Sequence, residues 1–206
     1  INQNNLKISE EENLLTINMF QPIFPTILWK EDSNIDNASL IEECYKHKES
    51  KVTNHFSNIG GYQGDEFKHE ELEKFILDNV PKSETVKTDG YTLRLFSWVN
   101  INPKGSRNYR HHHFSPGDPI LFSGVYYVKV PKGSGNIMFH DPRGAMIHTS
   151  LDMEYLYGNS VPAYTITPSA GECYYFPPWL EHDVTENESE VDRISIAFNI
   201  FLEFNR

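Results

Sequence analysis

Six runs between residues 91 and 204 do most to limit what this chain can fold into: YTLRLFSWVNI, ILFSGVYYVKV, GNIMF, AYTIT, CYYFP and RISIAFNIFLEF. Each is short and rich in aromatic and β-branched residues, with Gly, Pro, Asn or Asp as punctuation, which is the signature of strands. Before residue 90 the texture differs. Residues 1–20 read as a soft, acidic arm, and FQPIFPTILWK reads as extended because Pro22 and Pro25 forbid a helix interior. Asp36 or Asn37 is expected to cap a helix through ASLIEECYKHK, with Leu40, Ile41, Cys44 and Tyr45 on one stripe. SNIGGYQGDEF reads as a glycine-rich turn, and Asp65 as the cap of a second helix that carries Leu72, Phe75, Ile76 and Val80 and stops at Pro81. Helices first and strands after predict an α+β fold whose second half is a β-sandwich or small barrel, with the helices packed outside it.

A length of 206 residues suits one domain. We expect residues 1–206 to form it, with 1–90 a mainly helical N-terminal extension and 91–206 the β core. A chain of this size buries roughly 70% of its unfolded surface and needs no staple. With 13 Phe, 11 Tyr and 3 Trp, it has too much aromatic surface to stay unfolded in water. A net charge of −11 with no basic patch argues against nucleic acid as a partner, and no apolar run is long enough to span a bilayer. Cys44 and Cys173 are expected to be reduced core thiols. The start INQNNLKISEEENLL lacks the basic and apolar stretches of a signal peptide, so the expected compartment is the cytoplasm.

The chemistry is concentrated in histidines. Arg110-His111-His112-His113 precedes Pro116-Gly117, and in extended chain residues two apart share a face. His111 and His113 can therefore offer two imidazoles to one metal ion while His112 points elsewhere. A histidine-rich surface loop would read the same way. The stretch FPPWLEHDV supplies His182, which alone is an ordinary surface histidine. Its weight comes from the strand that follows, where alternation puts Arg193, Ser195, Ala197 and Asn199 on one face and Ile194, Ile196, Phe198 and Ile200 on the other. An arginine aimed into a barrel needs an anion, because an unpaired buried charge is costly. A small dicarboxylate would satisfy it bidentately. On the SGVYYV strand, Tyr127 shares a face with Ser123 and Val125 and is placed to reach the same ligand, although strand tyrosines are common in any sheet.

The order of these features is H-x-H, Tyr126-Tyr127-Val128, a strand after a Gly turn, the Pro168–Gly171 turn, an aromatic strand, a distal His and R-x-S. It closely resembles the double-stranded β-helix, a jelly-roll or cupin-like barrel, of the 2-oxoglutarate- and Fe(II)-dependent oxygenases, especially their prolyl-hydroxylase-like branch. The phrases SNIGGYQ, WVNINPKGSRNYRHHH, SGVYYVKVP, GNIMFHDPR, FPPWLEHDV and DRISIAFN resemble a narrower group of such oxygenases common in marine bacteria and their phages, over roughly residues 18–202. A phage origin would mean the host cytoplasm. The resemblance implies that His111 and His182 are Fe(II) ligands, that Arg193 and Ser195 bind the distal carboxylate of 2-oxoglutarate, and that Tyr127 assists. At the second ligand position, where most of the superfamily has Asp or Glu, this chain has His113. Either His113 is itself a ligand, the reading we favour, or it lines the site while Asp118 or a water completes it.

The implied reaction consumes O2 and 2-oxoglutarate, releases succinate and CO2, and hydroxylates a small molecule or a protein side chain. Trp98 and Tyr126 are candidates to wall the pocket, and Asn100, Asn102, Asp141 and Arg143 lie near strand ends where substrate contacts gather. Two other readings remain open at this stage. One is a three-His, cupin-like metal dioxygenase that does not use 2-oxoglutarate. The other is a non-enzymatic β-sandwich binding module. The residues do not determine the oligomeric state. A homodimer through the N-terminal strands or helices is one arrangement open to the chain, because β-rich members of such families often form one.

Overall fold

The computed structural model describes residues 25–50, 53–54, 56–81, 90–114, 116–117, 119–143 and 163–204. The early acidic arm and Asp118 lie outside them. The elements in chain order are β1 (Trp29–Asp32), α1 (Asn37–Ser50), β2 (Asn58–Ile59), β3 (Tyr62–Glu66), α2 (Glu70–Asp78), β4 (Tyr91–Asn102), β5 (Arg107–His111), β6 (Ile120–Lys129), β7 (Ile137–His140), β8 (Ala163–Ile166), β9 (Glu172–Phe176), β10 (His182–Val184) and β11 (Arg193–Phe204). The six strands expected from the sequence correspond to β4, β6, β7, β8, β9 and β11.

The strands form two antiparallel sheets. One is ordered β1-β9-β6-β11-β4-β3 and the other β2-β5-β10-β7-β8. The last eight strands divide four and four, β9-β6-β11-β4 against β5-β10-β7-β8, as a double-stranded β-helix requires. The N-terminal strands then extend both sheets: β1 and β3 form the two edges of the larger sheet, and β2 forms one edge of the smaller.

The segment before residue 90 therefore supplies strands as well as helices. SNIGGYQGDEF is not only a turn. Its polar residues form β2, which pairs with β5, and β3, which pairs with β4. Asn58 caps the reversal between them, accepting the Gly61 N–H at 2.9 Å, while Gly60 takes a φ of 77°. The second helix starts later than expected. Asp65 lies in β3, and the α2 N-cap is His69, whose Nδ1 accepts the Leu72 N–H at 3.2 Å. At α1, Asp36 Oδ1 accepts the Ala38 N–H at 3.0 Å.

Strand alternation separates two apolar layers. Ile194, Ile196, Phe198 and Ile200 of β11, Tyr126 and Val128 of β6, and Cys173 and Tyr175 of β9 face Leu40 and Cys44 of α1 and Leu72 and Ile76 of α2. The helices thus lie outside the barrel, as expected. On the other face, Val125, Tyr127, Tyr174 and Phe176 meet Ile137, Phe139 and Leu180 between the sheets. At Gly124 an added Cβ would come within 2.2 Å of the Phe198 ring and 2.4 Å of the Tyr174 carbonyl oxygen, so only glycine lets this ring lie flat on the sheet. Both cysteines are buried and free. Among the described residues no helix is long and apolar enough to cross a membrane.

Candidate active site

Between the sheets lies a cavity of about 490 Å³, including its mouth. Its two ends differ in chemistry. At one end are His111, on the last residue of β5, His113, two residues further on, and His182, the first residue of β10. The pairing of β5 with β10 sets His111 directly opposite His182. The main-chain N–H of His113 donates to the Pro178 carbonyl at 2.8 Å, which ties the post-strand segment to the turn leading into β10. One ligand atom from each histidine lies within 4.8 Å of the other two. His112 between them is exposed, as alternation requires.

Each ring is anchored at Nδ1. His111 meets the Tyr109 carbonyl at 2.8 Å, His182 the Leu180 carbonyl at 3.0 Å, and His113 the Asn199 Oδ1 at 2.7 Å. Each partner is an oxygen that accepts, so each Nδ1 carries the proton and each Nε2 keeps its lone pair. Burial favours the neutral rings. It depresses His113 to about 4, lowers His111, and takes His182 well below the ordinary histidine value, with the neighbouring rings adding to the effect. Three neutral nitrogen donors converging on one point can hold a divalent transition metal on one face and leave the opposite positions open.

At the other end is Arg193, the first residue of β11, 2% exposed. Its Nη1 donates to the Ser134 carbonyl at 2.7 Å. Gly135 lets that turn come close: its φ is 93°, and a Cβ there would fall 2.9 Å from Nη1. Among the described residues no carboxylate pairs with Arg193. The cross-strand register places Ser195 between Tyr127 and Asn100, so these three side chains form a row beside the guanidinium. Arg193, Ser195, Tyr127 and Asn100 all line the cavity. Asn100 is 6% exposed, and its Oδ1 has no hydrogen-bond partner. A buried cation without an anion and an orphaned amide oxygen are both features that a bound polar ligand would satisfy.

The other sequence-predicted residues divide. Trp98 lines the cavity with its ring centroid 5.5 Å from that of His113. Tyr126 does not. It faces the helices, and its hydroxyl donates to Asn37 Oδ1 at 2.8 Å, because its neighbour Tyr127 takes the inward position. Asp141 and Arg143 pair with each other at 2.6 Å on the surface and are not among the cavity-lining residues. Asn102 lies in a buried amide chain, accepting from Asn58 at 3.2 Å and donating to Asn108 at 3.3 Å.

Sequence reasoning did not single out Ser57, Gln63 and Asn108, which also line the cavity. The first two come from the segment read as a turn. It also missed the role of Asn199, although strand alternation had already put that residue on the inward face.

No curated protein matches the chain. Among solved structures it is similar to a prolyl-4-hydroxylase from Pseudomonas putida, with a TM-score of 0.59, 14% identity, and 85% of this chain and 92% of that one covered. It is also similar to a prolyl hydroxylase from Trichoplax adhaerens solved with a hypoxia-inducible-factor peptide fragment (TM-score 0.58, 11% identity, 84% and 83% covered). HygX from Streptomyces hygroscopicus, solved with nickel and 2-oxoglutarate bound, gives a TM-score of 0.56 at 12% identity, with 85% and 83% covered. At these identities the likeness is one of fold, the double-stranded β-helix. By sequence, residues 96–199 match the family model described as "Putative 2OG-Fe(II) oxygenase". That match covers half of the chain and runs from the strand bearing Trp98 through all three histidines and Arg193 to Asn199, so the protein belongs to the 2OG-Fe(II) oxygenase family.

Proposed function

We propose that His111, His113 and His182 form the iron-binding face of this Fe(II)- and 2-oxoglutarate-dependent dioxygenase, and that Arg193 holds the distal carboxylate of 2-oxoglutarate with Ser195 and Tyr127. One observation carries the reading: three lone pairs converge at one end of a cavity whose other end holds a buried, carboxylate-free guanidinium. The donor chemistry fits a divalent iron, and the guanidinium fits a dicarboxylate. When bound, iron and 2-oxoglutarate supply the oxidising chemistry, with succinate and CO2 as co-products.

The chain's own residues bind, orient and exclude water. His111 and His182 are held in one tautomer by main-chain carbonyls, so they meet the metal without reorganisation. Arg193 is fixed by Ser134, so a dicarboxylate is gripped at the inner end and directed toward the histidines. Val125 and Ala197 line the space between as apolar wall, and Asn100 offers its amide beside Ser195. The substrate is proposed to be a small molecule or a protein side chain that approaches on the Trp98 side and presents a C–H bond near the histidines.

We also read residues 1–206 as one domain, on the ground that β1 and β3 are edges of the sheet built by the C-terminal strands. The cytoplasm is the proposed compartment, since both cysteines are free and buried.

Anaerobic loading with Fe(II) and 2-oxoglutarate, followed by oxygen, tests the reading by quantifying succinate. Succinate formation is the expected result. Iron binding with no succinate would favour a three-His dioxygenase that does not use 2-oxoglutarate, and neither would sink the assignment.

A further inference from the structure

We infer that Asn199, backed by Ser123, is the positioning residue that makes His113 a metal ligand. The inference rests on the iron-face reading above.

The three imidazoles are not anchored alike. His111 and His182 bond to main-chain carbonyls, which can only accept, so the proton on Nδ1 is dictated by the backbone. His113 lies beyond the end of β5, and its Nδ1 faces a side-chain amide instead. An amide has two faces. If Asn199 turned its Nδ2 toward His113, the ring would have to accept at Nδ1 and carry its proton on Nε2, and the lone pair aimed at the metal position would be lost. The amide's second neighbour is Ser123, fully buried, whose hydroxyl donates to the same Asn199 Oδ1 at 2.7 Å and adds to the preference for the oxygen on this side. One oxygen thus accepts from both Ser123 and His113.

The arrangement is built into the sheet. Asn199 and Ser123 are register partners across β11 and β6, both on the inward face. Asn199 also determines charge. A carboxylate at this position would orient His113 equally well but would add a negative charge behind the ring. The neutral amide keeps the whole donor set uncharged, so a bound divalent ion retains its full charge toward an anionic co-substrate.

The test uses the 206-residue chain as wild type, Asn199→Leu, Asn199→Asp and Ser123→Ala. In the metal-free protein, ¹⁵N spectra of labelled histidine report the His113 tautomer, assigned by its loss in His113→Gln. Co(II) titration followed by visible absorption reports metal affinity and ligand field. The wild type is expected to show Nδ1–H at His113 and to bind Co(II). Asn199→Leu is expected to gain Nε2–H tautomer and to weaken Co(II) binding by about 10- to 100-fold. Ser123→Ala should change both in the same direction by less. Asn199→Asp should restore the affinity to at least the wild-type value with shifted absorption bands, which a loss of folding could not mimic. Asn199→Leu with the wild-type tautomer and affinity would overturn the role of Asn199 alone. A wild type that binds no Co(II) would overturn the iron-face reading and this inference with it.

Discussion

The two faces of β11 are made from one run of sequence and serve opposite ends. Facing the helices, Ile194, Ile196, Phe198 and Ile200 are completely buried among apolar neighbours, with the Phe198 ring edge-on to Tyr175 at 5.4 Å. On the opposite face, Arg193, Ser195 and Ala197 bring a guanidinium without a carboxylate partner among the described residues, a hydroxyl and a methyl to the cavity, and Asn199 offers its amide oxygen to His113. The outer face gains by burying apolar area and tolerates no polar group. The inner face gives up that gain to keep groups ready for a ligand. A strand can do both because its side chains alternate strictly, so a site can be built on one face without loosening the other.

That contrast predicts separable effects. Phe198→Ala should cost about 3–5 kcal/mol of stability through lost burial and a cavity over Gly124. Denaturant unfolding should show it, while the folded fraction binds Fe(II) as before. A variant that lost metal affinity at full stability would break the division between faces. Arg193→Ala should do the reverse. The 2-oxoglutarate concentration for half-maximal succinate formation should rise about 100-fold, or ~2.7 kcal/mol. Iron affinity, measured by anaerobic calorimetry, should stay within about twofold, since Arg193 touches none of the three histidines. Equal losses in both would mean that Arg193 holds the barrel together rather than the co-substrate.

Ser195→Ala, which removes one hydrogen-bonding group beside the guanidinium, should raise the same requirement by about fivefold, on the order of 1 kcal/mol. The smallest effect sharpens the comparison from the outer side. Cys44 and Cys173 both lie in the outer layer, and burial pushes each thiol up to about 12. A thiol-alkylating reagent should therefore label neither in the native protein, and both once it is unfolded, as intact-mass spectrometry would show.

The alternating strands β4, β6, β9 and β11 could be read from the sequence because each is long enough, or aromatic enough, for its period to stand out. So could the parity that sends Arg193 and Ser195 inward. The short β7 and β8 also stood out by their aromatic and β-branched residues, but β2, β3, β5 and β10 did not. Strands β2 and β3 are polar, and β10 is three residues long. Such segments exist only because a neighbour offers a free edge, and no local pattern records that. For the same reason Ser57 and Gln63 were invisible as cavity residues, being buried by their partners and not by their own hydrophobicity. Tyr127 is the tyrosine the sequence points toward the ligand, but the sequence also offers Tyr126 as a pocket wall. Only the register, which sets Tyr127 opposite Ser195 and Tyr126 opposite Ile196, sends Tyr126 to the helix side.

The sequence by itself determined a strand-rich second half with an outer helical layer and the residue types, histidines and an arginine, that gather at the two ends of the cavity. The resemblance to the oxygenases added the type of barrel. The features read from the residues depend on period, composition and chain order, which are local properties. Only the tertiary structure decided that His111, His113 and His182 meet at one point, that Arg193 has no carboxylate partner among the described residues, and that Asn199 and Ser123 stand behind His113. Those facts depend on which residue lies opposite which across antiparallel strands. Asn199 is 86 positions from His113 in the chain and 2.7 Å from it in space. Register across the sheets brings the two together, and register is set by the whole barrel packing at once.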